Sequence, residues 1–139
     1  MYIEIGYEIK DGKLYAWSHI PKKELNMTDL EESAYNKILN LISESADLSK
    51  VHLEKNSDAY TSLVYGKYND FVRFKLTERT KWISIRMIPS DRQANKDNPL
   101  FADQKNKNQL HWKVKIKNID EIFSYQKFII NACLLNPCE

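Results

Sequence analysis

Glycine is scarce in this chain, with three among 139 residues. That excludes any glycine-rich loop of the kind that cradles phosphates. Cysteine is scarcer still: Cys133 and Cys138 are the only two. Two thiols in a domain this long do not make a disulfide framework. No further cysteine or nearby histidine completes a zinc set of four ligands. The three histidines, His19, His52 and His111, lie far apart, in no metal spacing and beside no candidate nucleophile. No stretch approaches the ~20 consecutive apolar residues of a membrane span. The start, Met1-Tyr2-Ile3-Glu4-Ile5, has an acid where a signal peptide needs a basic segment and a long apolar run. These absences lead to an expectation of one cytoplasmic domain over residues 1–139, with no membrane contact, no cofactor and no metal.

Catalytic motifs are lacking too. Glu8-Ile9-Lys10 fits half of a nuclease pattern, E-x-K, but such a site needs a separate acid to hold a metal. Glu4 is the sole neighbour of that kind, and chance matches to so short a pattern are common. His19 opposite Glu4 reads as a surface cross-strand pair. No catalytic residue is assigned.

What is present is charge, unevenly placed. Residues 1–60 hold seven Lys/Arg and eleven Asp/Glu, and residues 61–139 hold fourteen and eight. The basic second half suits an anionic partner. Composition competes with that reading, because lysine outnumbers arginine seventeen to four and is often mere surface.

Asp11-Gly12 signals a two-residue hairpin turn. It pairs Lys10 with Lys13, Ile9 with Leu14, Tyr7 with Ala16 and Ile3 with Ile20, and sets Trp17 opposite Gly6. Thr28-Asp29-Leu30-Glu31 is a capping box that starts a helix running to about Ala46. Strands are expected over 59–65, 71–77, 82–88 and 111–117. A final helix capped by Asp120 should run to about Leu134, with Ile122, Phe123, Ile129, Ile130 and Cys133 on its apolar side. The fold class is therefore α+β: an antiparallel sheet of five or six strands with two helices packed on one face.

The polar stretch between Pro89 and Leu110 is too long for an ordinary loop. Asn98-Pro99 marks a short helical turn, and Leu100 and Phe101 are expected to pin the stretch to the body. Its charged remainder, 104–109, is expected to be mobile.

Strand alternation turns Arg73, Lys75, Arg86, Lys113, Lys115 and Lys117 outward, with Phe71, Trp82 and His111 on the same parity. Cations that track a backbone, among aromatic faces on which bases stack, make a nucleic-acid surface. Lys105 and Lys107 from the long loop are expected to join it. The competing reading is a solvated sheet exterior. Like charges directly opposite one another destabilise a sheet, so a one-signed face is unfavourable unless the pairing separates them. A rival function is protein interaction, as in a phage or host-defence regulator, through the 89–110 loop.

Asp70-Phe71-Val72-Arg73-Phe74-Lys75, then Lys81-Trp82-Ile83-Ser84-Ile85, then His111-Trp112 leading to Ile119-Asp120-Glu121-Ile122, resemble small bacterial α+β domains. Some of those domains carry the label predicted transport protein, and they look related to the YjbR-like α+β domains. The resemblance covers roughly residues 60–134 and rests on short motifs in order. The acidic first part and the 89–110 stretch depart from that pattern. The resemblance implies an accessory role beside nuclease or DNA-associated modules, and no catalytic residue carries over.

Overall fold

The computed structural model describes residues 2–10, 13–18, 28–57 and 59–135, the strands within 2–18 and residues 56–57 by backbone pairing alone. Among the described residues, seven strands form one antiparallel sheet in the order β2-β1-β3-β4-β5-β6-β7. They are β1 (Tyr2–Lys10), β2 (Lys13–Ser18), β3 (Val51–Ser57), β4 (Tyr60–Tyr65), β5 (Asn69–Leu76), β6 (Lys81–Arg86) and β7 (His111–Lys115). The described α-helices are α1 (Asp29–Ile42), α2 (Pro89–Ala94) and α3 (Gln126–Cys133), with 3₁₀ turns η1 (Leu48–Lys50), η2 (Pro99–Phe101) and η3 (Ile119–Tyr125).

The expected antiparallel α+β class holds, and the sheet is wider than the expected five or six strands. The addition is β3, which pairs with both β1 and β4. Its inward residues are only Val51 and Leu53, alternating with His52 and Glu54, a pattern too short to stand out. The first hairpin has the expected register: Lys10 pairs with Lys13, Ile9 with Leu14 and Gly6 with Trp17. The turn at Asp11-Gly12 and the Ile3–Ile20 pair lie outside the described residues.

Helices α1 and α3 pack on each other and on β5. Between them and the sheet lies one core, in which Ile38, Ile42, Leu63, Phe74, Leu76, Ile83, Ile85, Trp112 and Ile129 are buried. The expected inward residues of β5, β6 and β7 all belong to it. The capping box at Thr28 is present, with Glu31 as its third residue.

The last helical segment differs from expectation. Asn118, not Asp120, is its N-cap, with Glu121 completing a capping box. It opens as the 3₁₀ turn η3, in which residues three apart share a face. Ile122 and Tyr125 are accordingly buried and Ile119 packs against the core. Phe123, expected on the apolar side, is instead 54% exposed.

The 89–110 stretch is built rather than structureless. Asn98 caps η2 by accepting the Leu100 N–H at 2.9 Å. Phe101 is fully buried, edge-on to Trp112, Tyr125 and Phe128 at 5.0, 5.6 and 5.1 Å. Leu100 is 40% exposed, so Phe101 alone is the apolar pin. Gln104 is buried too, and its Oε1 accepts the Lys113 N–H at 2.7 Å, which ties the stretch to β7. Asn131 of α3 donates to Asp91 of α2 at 2.9 Å, so α2 also belongs to the helical side.

Candidate functional site

The sheet face opposite the helices carries the charge. Register places Ser62, Arg73, Ser84 and Lys113 side by side across β4 to β7. Two residues along, Lys75 faces Trp82 and Trp82 faces Lys115. Each β6 residue between two cations is therefore neutral. Directly opposed like charges, which would destabilise the sheet, do not occur among Arg73, Lys75, Lys113 and Lys115. Lys113 and Lys115 are exposed, and Arg73, Lys75 and Trp82 are half-buried.

Aromatic rings lie among the cations. Lys113 Nζ sits 4.2 Å from the Trp82 ring centroid. The Arg73 guanidinium sits 5.0 Å from the Tyr60 ring. The Tyr60 and Trp82 rings are 6.3 Å apart, tilted by 60°. Tyr60 is a participant that sequence reasoning missed, although its parity with Ser62 was the signal.

Phe71 was expected on this face and is in the core, fully buried. The cause is a β-bulge. Leu63 pairs with Val72 and Val64 with Asp70, so Phe71 has no partner on β4 and turns inward beside Val72. The same bulge brings Asp70 to the outer face. On a regular strand residues three apart lie on opposite faces, yet here Arg73 Nε and Nη2 both donate to Asp70 Oδ2, at 2.9 and 2.6 Å. His111 Nε2 lies 3.2 Å from Asp70 Oδ1 and 3.0 Å from its backbone oxygen. Burial pushes the Asp70 carboxyl up, and hydrogen bonds from His111 and Arg73 outweigh it, so the group is held below its ordinary value. Arg73 is thus partly neutralised, a feature the outward count of cations did not contain.

The remaining expected residues divide. Arg86 is half-buried, its Nη1 reaching Asn69 Oδ1 at 3.4 Å. Lys105 lines a cleft of about 440 Å³ with Gln104, Gln109, Lys113 and Lys115. Lys117 lies beyond the end of β7 but borders a second recess, of about 500 Å³, with Arg79, Trp82 and Lys115. Lys107 does not join them. Its ammonium bonds the Lys96 carbonyl oxygen and lies 5.8 Å from the Trp112 ring, on the core side of β7. At the β3 end the outer face is closed, with His52 and Val64 buried.

Among the described residues no cluster of three His, Cys, Asp or Glu side chains converges as a metal site would. Burial pushes the Cys133 thiol up to about 12, far from a nucleophile at neutral pH. No described helix is long and apolar enough to cross a membrane. Comparison with protein-family models, curated proteins and solved structures finds no match for the chain.

Proposed function

We propose that the chain is a binding module for nucleic acid or a related polyanion, and that the outer face of β4 to β7 is its contact surface. One observation carries the reading: four cations are interleaved with neutral side chains and two aromatic rings, rather than opposed to one another. The arrangement keeps the charges apart within the folded chain and gathers them on one side for a distributed anion, with Arg73 in part engaged by Asp70. On this reading the chain works in the cytoplasm, as an accessory component rather than a catalyst. The test is binding of single- and double-stranded DNA and RNA across a salt series. Affinity is expected to fall steeply with salt as displaced counterions lose their advantage. Absence of binding to all of them at low salt removes the proposal.

A second reading rests on Leu100 and Leu110, which are 40% and 52% exposed in the 89–110 stretch. Exposed leucines on a scaffolded loop fit a protein-contact surface. A pull-down that depends on Leu100 and Leu110, and not on the lysines, would select it.

A further inference from the structure

Resting on the polyanion reading, we propose that the occupant is single-stranded nucleic acid, laid along the edge strand β7 with one base stacked on Trp82.

The two recesses flanking this edge share Lys115. One holds Lys105 and Lys113, and the other holds Lys117 and Trp82. Meeting at Lys115, the two recesses make the track along β7 that the proposal assigns to the strand. Lys113 and Lys115 stand two residues apart on that strand, about 6.6 Å at a rise of ~3.3 Å per residue. That is of the order of one nucleotide step in an extended strand. Trp82 faces Lys115 across the sheet, so a base attached to a phosphate at Lys115 lies within reach of the indole.

Stacking decides between one strand and two. A base offers its flat face to a side chain only when it is unpaired and unstacked. Trp82 is half-buried, with Lys113 Nζ 4.2 Å from its ring centroid and Tyr60 6.3 Å away. An incoming base takes the place of that ammonium on the indole as Lys113 turns to a phosphate, an exchange open to a splayed base and idle against a duplex. Duplex readers insert a helix or ribbon into a groove. Here α1 and α3 pack on the opposite side of the sheet, and α2 is tied to α3. The face itself is a broad sheet, the platform on which single strands are commonly held. The track also carries Asp103 at its rim, which limits the anionic density it tolerates there.

The experiment compares three fluorescein-labelled probes on the whole protein by anisotropy: a twelve-nucleotide single strand, its duplex, and a twelve-unit abasic deoxyribose-phosphate strand. The single strand is expected to bind at least tenfold tighter than either. Its salt slope is expected near −2 to −3, for three to four neutralised phosphates at about −0.7 each. Trp82→Ala should weaken single-strand binding roughly 5- to 150-fold and leave the abasic probe unchanged. Trp82→Phe should retain most of the affinity while losing the fluorescence quenching that stacking causes. Equal affinity for duplex or abasic probe overturns the single-strand inference and leaves the polyanion reading standing. No binding to any probe overturns both. If Trp82→Ala fails to fold, the three-probe comparison on the unaltered chain and the Trp82→Phe variant still decide.

Discussion

Glu31 of α1 accepts the backbone N–H of Leu76, at the end of β5, through Oε2 at 3.0 Å. Its other oxygen accepts the Thr28 N–H at 3.1 Å. Thr28 Oγ1 in turn donates to the Leu76 carbonyl. A local helix cap is therefore also a tertiary bond, joining the helix layer to a central strand at a position only 3% exposed.

The first prediction follows from that carboxylate. Glu31→Gln keeps the shape but replaces one acceptor oxygen by an NH₂ group, and both oxygens face N–H donors. One buried donor is left without its acceptor, a loss of about 1–3 kcal/mol. Urea unfolding should show the midpoint falling with the slope unchanged. An equally stable Glu31→Gln variant would show the link to β5 to be dispensable. Thr28→Ala should lose about 1 kcal/mol by the same assay.

How much of this was legible beforehand depends on the range of the interaction. The Thr28–Glu31 box is a local pattern and was readable, whereas its bond to Leu76 spans 45 residues and leaves no local trace. The alternation of β5, β6 and β7 placed Arg73, Lys75, Trp82, Lys113 and Lys115 correctly. It misplaced Phe71 because a bulge changes parity by one, and nothing in Asp70-Phe71-Val72 announces one. Phe123 was misjudged for a related reason: a period of 3.6 was assumed where the chain runs at 3.0. The charge spacing across the sheet needed the register of three strands, and that register is a product of the whole fold.

Phe101 supplies a second prediction. It is fully buried and edge-on to three other rings. Phe101→Ala should lower stability by about 3–5 kcal/mol. The loss should be accompanied by faster amide exchange through residues 98–106, since Phe101 is the apolar pin of that stretch. A variant with unchanged exchange there would assign the pinning to Gln104 and its bond to Lys113.

The third prediction concerns acid. The folded state holds Asp70 below its ordinary 3.8, so the unfolded chain takes up this proton first. The stability Asp70 contributes is therefore fully present above about pH 4 and is lost as pH falls through the depressed folded value. Asp70→Asn removes acceptor strength for Arg73 and His111 and should lower stability by about 1–2 kcal/mol at neutral pH. Melting curves from about pH 7 to about pH 2 should show the gap between the two proteins narrowing on the acid side. A gap that widens with acid would reverse the sign of the argument. The same variant frees Arg73, so its polyanion binding should strengthen at neutral pH even as the fold weakens.

The last prediction separates two lysines that the sequence treats alike. Lys105 and Lys107 lie in one polar run, yet Lys105 faces Lys113 and Lys115 across a cleft while Lys107 is engaged with the Lys96 carbonyl and the Trp112 ring. Charge reversal should therefore split them. Lys105→Glu should leave stability within about 0.5 kcal/mol, because the side chain is exposed. It should weaken polyanion binding and flatten the salt slope by about 0.7, the share of one phosphate contact. Lys107→Glu should do the reverse: it breaks a hydrogen bond and a cation–π contact, lowering stability by about 0.5–1 kcal/mol. Its salt slope should match that of the unaltered chain. Thermal melts and a salt titration on the two variants are sufficient. Slopes for both variants that match the unaltered chain's would mean that the cleft at Lys105 takes no phosphate. A loss of affinity at Lys107 alone would move the contact surface to the other side of β7.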